Sequence, residues 1–350
     1  MIQRQLKLQL TRKQEAKLVD WLWCLTGVYN WAVRKIELSA NDGIYYSKRE
    51  FNNLLAGHSK PLGIPSHVIQ GTLVVVHDAW TRCFKKLGGK PRLKSNRNKL
   101  NSIPFPDPIK PPTGNRISLP GLGSVKFHKQ ELPNAKIKCG RIVKRASGWY
   151  LCLFIDAEPN AIPITGDNVV GIDSGFTNLL TLSSGEKIAH PRELEASAKR
   201  LAQAQRGRDK KLTARIQERI ANQRKDRNHK LSRRLVSENR FIAFSADCHN
   251  GIAKRFGKSV ASSGHYQLRQ MLAYKSRAGG REYVEVDPKR STMTCSACGE
   301  PSGPTGLAGL SVRQWVCGCC GASHDRDVNA ARNTLNAAVG ATVKEVRHVA

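Results

Sequence analysis

The sequence predicts an α/β protein of two or three domains with a metal-binding ribbon near its C-terminal end. At 350 residues the chain is long enough to build more than one core. Strand-like alternation and helix-like periodicity follow one another along its length. Two Cys-x-x-Cys-Gly runs, Cys295/Cys298 and Cys317/Cys320, flank a Gly-rich spacer. Each such turn aims two sulfurs at one point, and the glycine lets the backbone fold over the ion, as a four-thiolate zinc site requires. Cys319 lies inside the second run but lacks the x-x spacing. Ten cysteines, four at zinc spacing and the rest scattered, fit a reducing compartment better than a disulfide scaffold.

Charge narrows the function. Lys plus Arg number 58 against 27 Asp plus Glu, a formal net charge of +31. Such a surface exploits counterion release from phosphates, so the expected partner is nucleic acid. No basic amphipathic helix with a bulky apolar face stands out, and no run of about 18 apolar residues is present, which argues against a membrane. Met-Ile-Gln-Arg-Gln is not a signal peptide, so a soluble, cytoplasmic protein is expected.

The elements follow in order. Residues 1–10 alternate and read as a strand. Thr11 and Gln14 form a capping box for a helix carrying Leu18, Leu22, Leu25, Tyr29 and Ala32. Trp21, Trp23 and Trp31 on it are expected to pack rather than stack on bases. Ser47 and Glu50 form a second box, opening a helix through Leu55. A third helix begins at Pro65 and stops at Gly88-Gly89. The basic run 90–99 is either a solvated face or a phosphate contact. Strands are expected at 116–119, 125–128, 142–145 and 149–156, so that residues 1 to about 158 read as strands around a three-helix insertion.

After a Pro-containing linker, Val169-Val-Gly-Ile-Asp173 makes a buried strand. Its terminal acid has small neighbours, leaving room for a metal ion and a phosphate. Residues 199–235 read as one long, very basic helix with a narrow seam of Leu212, Ile216 and Ile220. Behind the second knuckle, His324-Asp-Arg-Asp-Val-Asn-Ala-Ala-Arg-Asn333 opens a helix that Asp325 can cap. Asp327 is then either an anion stabilised by the helix dipole or a rigidly held ligand for magnesium.

The C-terminal run through Asp327-Val-Asn-Ala-Ala, with the ribbon before it, resembles the end of the TnpB family, transposon-encoded RNA-guided nucleases related to type V CRISPR effectors. Gly171-Ile-Asp-Ser-Gly175 resembles the first acidic motif of RuvC-like nucleases, and Asn222-Gln-Arg-Lys-Asp through Ser232 resembles the family's basic helix. The resemblance implies an RNase H-like (RuvC) nuclease domain over 165–291 and 321–340, interrupted by a zinc ribbon over 292–320 and followed by a tail, 341–350. It also implies a preceding β-barrel-like wedge domain, 1–158, with a helical recognition insertion at about 11–88. The implied activity is that of a mobile element's Mg-dependent endonuclease. Guide RNA and double-stranded target DNA are the implied partners, with no membrane and no small-molecule substrate. Zinc would be structural, held by Cys295, Cys298, Cys317 and Cys320, and Mg2+ catalytic, held by Asp173 and Asp327.

The family's second carboxylate, a Glu ending the strand after the basic helix, falls on Ser245. Asp247 lies two residues on, facing the same way but displaced by about 6–7 Å on the strand rise. Glu285, between Val284 and Val286, needs a cation or metal to face and is the expected replacement. The remaining alternatives are a nuclease-dead, RNA-guided DNA-binding regulator and an RNA-independent zinc-ribbon accessory of transposition.

Overall fold

The computed structural model describes residues 1–350 except 96–97, 160, 191, 247–256, 258, 261, 306–308, 310 and 342–350. The chain divides into two compact units, Met1–Pro159 and Asn160–Ala350.

The first unit opens with β1 (Ile2–Gln9), whose Leu6 and Leu8 are buried. Thr11 caps α1 (Arg12–Asn41) as the sequence predicts. Its hydroxyl accepts the Gln14 N–H at 3.2 Å, and the Gln14 side chain accepts the Thr11 N–H at 3.1 Å. Ser47 and Glu50 repeat the arrangement at α2 (Lys48–Asn53), which is followed by α3 (Ser59–Leu62) and α4 (Ser66–Phe84). Five strands complete the unit: β2 (Ser102–Phe105), β3 (Arg116–Leu119), β4 (Gly123–Phe127), β5 (Ile137–Arg145) and β6 (Gly148–Ile155). Their order is β2-β5-β6-β1-β4-β3, antiparallel throughout. The apolar stripes of α1 and α4 share one core with this sheet, from Leu18 and Leu73 to Phe105 and Leu151. The tryptophans of α1 divide. Trp21 is buried and donates its indole N–H to the Gly63 carbonyl at 3.1 Å, whereas Trp23 is 66% exposed. The expectation of packing therefore holds at Trp21, holds in part at Trp31, which is 38% exposed but stacks on Phe51, and fails at Trp23.

The second unit contains β7 (Asn168–Ser174), β8 (Asn178–Leu182), β9 (Lys187–Ala189), α5 (Glu193–Ala196), α6 (Ala198–Arg206), α7 (Lys210–Glu238) and β10 (Asn239–Ser245). Then come α8 (His265–Ala278), β11 (Glu282–Val286), β12 (Gln314–Val316), β13 (Ser323–Asp325) and α9 (Arg326–Ala341). The sheet order is β11-β10-β7-β8-β9. β11, β10 and β7 run parallel, and β8 is antiparallel to both its neighbours. Leu231 and Leu235 of α7, with Leu268 and Leu272 of α8, cover one face over Val170, Ile172, Ile242 and Phe244. Leu335 and Ala338 of α9 cover the other, over Phe241, Ala243, Val284 and Val286.

The long basic helix is interrupted. Arg208 adopts a left-handed φ of 52°, and the Asp209 carboxylate accepts the Leu212 N–H at 2.9 Å, starting a new helix. Ala204 of α6 can then pack against Ile216 and Ile220 of α7, so the apolar seam is buried inside a helical hairpin.

Candidate active site and metal centre

Strand alternation decides which acids can meet. On β7, Val170 and Ile172 face α7 and α8. Gly171 faces α9 so closely that a Cβ there would lie 2.1 Å from the Ala331 carbonyl oxygen. Asp173 continues the Gly171 face. On β10, Phe241 and Ala243 face α9, and Ser245 continues that series. The pairing of Phe244 with Ile172 carries Ser245 to the side of Asp173.

The first turn of α9 reaches the same place. Val169 lines a cleft with Leu335 and Asn336, while Ala331 lies over Gly171, so α9 runs antiparallel to β7. Asp327 is one turn before Ala331, about 6 Å along the helix. Asp173 is two residues beyond Gly171, about 6–7 Å along the strand. Both acids therefore advance to the same end of the same face. Asp327 pairs with Arg313 at 3.7 Å. Asp325 takes the capping role: its Oδ1 accepts the N–H groups of Asp327 and Val328 at 3.1 Å, and its Oδ2 accepts from Lys187 at 2.6 Å. Burial pushes the Asp325 carboxyl up, but Lys187 and the helix N–H groups outweigh it and hold the group below the ordinary aspartate value.

Glu285 is not brought to this face. Val284 and Val286 face α9, so Glu285 points the other way with Tyr283. There Arg269 of α8 grips both carboxylate oxygens and the Tyr283 hydroxyl donates to one at 2.9 Å. Burial would raise the Glu285 carboxyl, but these partners hold it below the ordinary value. The cation that this acid needs is an arginine. Asp247 lies outside the described residues. His265 is buried and donates Nε2–H to the Leu179 carbonyl at 3.0 Å, a packing role, and Tyr266 is exposed.

Asp173 and Asp327 offer the hard oxygen ligands that magnesium prefers. Ser245, beside Asp173, presents a buried hydroxyl that has no hydrogen-bond partner among the described residues.

The cysteine cluster fits a soft, tetrahedral ion. The sulfurs of Cys295, Cys298, Cys317 and Cys320 all lie within 4.8 Å of one another, and Cys319 is outside the group. Both knuckles turn as their sequences demand. Gly299 and Gly321 take φ of 83° and 72°, and their N–H groups donate to the Cys295 and Cys317 carbonyls at 2.9 Å. The Ser302 hydroxyl, 3.0 Å from the Cys317 sulfur, pulls that thiol down to about 6, aided by nearby backbone N–H groups. Sequence reasoning missed His324: its Nε2 lies 3.0 Å from the Cys295 sulfur, and its ring packs on Trp315. It also missed the asparagines of α9 that hold the first knuckle. Only their place beside the ribbon in sequence hinted at this.

Comparisons with known proteins agree in direction. Residues 155–245 match the OrfB_IS605 family, described as "Probable transposase", and residues 265–334 match the "Cas12f1-like, TNB domain" family. A Streptomyces pristinaespiralis protein named "Putative RNA-guided DNA endonuclease" is 38% identical over 57% of this chain and 52% of its own length. The chain thus spans about half of that relative. An Escherichia coli K12 protein with the same description, InsQ, is 26% identical over 78% of this chain and 74% of its own length. Among solved structures, a Cas12f1-sgRNA-target DNA complex aligns over 96% of this chain and 99% of its own chain, at 17% identity and a TM-score of 0.39. In the described residues no helix is long and apolar enough to cross a membrane.

Proposed function

Because the chain belongs to the TnpB family, we propose that it is an RNA-guided DNA endonuclease whose active site is built on Asp173 and Asp327. The observation that carries the reading is the convergence of these two acids at one end of one sheet face. A strand order of β9-β8-β7-β10-β11, with only β8 antiparallel to β7 in the centre, supports an RNase H-like (RuvC) nuclease domain. The net charge of +31 and the cationic α6–α7 hairpin suit a polyanion. Guide RNA would pair with the target strand, while the protein holds the backbone of the heteroduplex and reads a short flanking motif.

Asp173 and Asp327 would hold magnesium, whose chemistry there is to activate water and stabilise the leaving oxygen of a phosphodiester. The chain's part is to keep both carboxylates rigid: Asp173 by strand pairing with Thr181, Asp327 by the Asp325 cap. Zinc in the four-cysteine cluster would be structural, because four thiolates leave no open position.

A second reading, guided DNA binding without cutting, is favoured by Ser245 standing where the family's second carboxylate is expected and by the engagement of Glu285 with Arg269. One experiment separates the two. The protein is purified with RNA transcribed from its flanking DNA and given matched double-stranded DNA and Mg2+. Cleavage lost in Asp173→Ala and Asp327→Ala but kept in Glu285→Ala supports the nuclease, and Asp247→Ala tests the remaining acid. Guided binding without cleavage by wild type establishes the second reading, and absence of guided binding sinks both.

A further inference from the structure

Asn329, Asn333 and Asn336 recur at helical spacing and form one stripe along α9. Amide side chains on such a stripe would ordinarily face water, yet Asn329 is 1% exposed. Its Oδ1 accepts the Ser296 N–H at 2.8 Å, and its Nδ2 donates to the Thr294 and Ser291 carbonyls at 2.8 and 3.3 Å. Asn333 Nδ2 donates to the same two carbonyls at 2.6 and 2.8 Å. Asn336 adds a longer bond to the Ser296 carbonyl at 3.4 Å. The segment they grip, 291–296, carries Cys295.

The ribbon holds α9 a second time through the chain itself. His324, beside the Cys295 sulfur, is followed directly by the Asp325 cap and by Asp327. The opposite side of α9 lies on the sheet with no slack, as the approach of Ala331 to Gly171 shows. The helix start that presents Asp327 is thus clamped between the sheet and a loop whose shape four sulfurs define. Without an ion nothing obliges those thiols to converge, and released amides and carbonyls would seek water instead.

We propose that metal binding in the four-cysteine cluster positions Asp327, and that Asn329 and Asn333 are the positioning residues that transmit it. This rests on the reading of Asp327 as an active-site carboxylate. The ribbon is then a strut for the active site as well as a separate module.

The test uses the full-length protein and two readouts that do not need cleavage. Hydrogen exchange across α9 is followed with zinc bound and after zinc is stripped. Mn2+ binding, read by its electron paramagnetic resonance signal, reports the Asp173/Asp327 site. Stripping zinc should remove protection from the first turns of α9 while β7 and β10 stay protected. Asn329→Ala/Asn333→Ala should do the same with one zinc still bound per chain, and should weaken Mn2+ by about 10- to 100-fold, as expected for lost support of a metal ligand. Unchanged exchange in α9 after stripping overturns the proposal, as does a double variant with wild-type protection and Mn2+ affinity. If the double variant unfolds, Asn329→Ala alone and the stripped wild type decide. If wild type binds no Mn2+ that depends on Asp173, the active-site reading has failed, and the exchange arm alone judges the strut.

Discussion

Lys275 places its ammonium between two helices, where it donates to the His229 carbonyl at 2.6 Å and the Ser232 hydroxyl at 2.7 Å. Burial, and then the nearby Arg233, lower its pKa to about 8. An unfolded lysine titrates near 10.4, so between these values the folded chain binds fewer protons than the unfolded one and stability rises with pH. The slope approaches about 1.4 kcal/mol per pH unit for one such group. In urea unfolding series, wild type should therefore gain on Lys275→Met as pH climbs from about 8 to 10.4; a constant difference would refute this. Glu285 shows the limit of reading single residues. Val284-Glu285-Val286 alternates identically whichever way it faces, and both faces of this sheet are covered. Only the register of β11 on β10 shows that the acid points toward Arg269, and register is a long-range property that the local pattern does not contain. The positions of Asp173 and Asp327 were legible because each carries its context locally, a strand end and a helix start.

At the scale of elements, the approach of α9 to β7 is set by one missing methyl group. In an ordinary strand, Gly→Ala is favourable, since glycine loses more freedom on folding. At Gly171 the new Cβ would meet the Ala331 carbonyl at 2.1 Å and the Leu335 Cβ at 2.8 Å. Gly171→Ala should therefore destabilise the second unit by at least the 1–3 kcal/mol typical of overpacking, read as a lower melting temperature, and should displace Asp327 with α9. A neutral or stabilising outcome would mean that the helix has room to retreat. Sequence periodicity found most helices, and both capping boxes form as read. It ran α6 and α7 together because Gly207-Arg208-Asp209 carries no proline and leaves the helical spacing nearly in phase. The break exists because folding the two helices together buries the seam of Ile216 and Ile220. Trp23 erred the other way, since its type argued for packing while its position on α1 faces outward.

For the whole molecule, the excess of cations was visible in composition alone, and it sets a measurable property. Nucleic-acid affinity should fall steeply and log-linearly with salt, with a slope near −0.9 for each duplex phosphate neutralised and near −0.7 on single strands. Alanine at Arg215 and Arg219, cations of the α6–α7 hairpin, should reduce that slope by up to about two, measured by filter binding across a salt series. An unchanged slope would move the polyanion contact elsewhere.

The placing of α9 on β7 also imposes an order on synthesis. The strand bearing Asp173 emerges from the ribosome long before the helix bearing Asp327, with the ribbon made in between. Until α9 arrives, Phe241, Ala243, Val284 and Val286 have no cover, and the nascent chain holds only one of its two acids. A translation product halted within the ribbon therefore lacks half of the proposed site and exposes enough apolar surface to invite disposal. The last helix is what closes this face of the sheet.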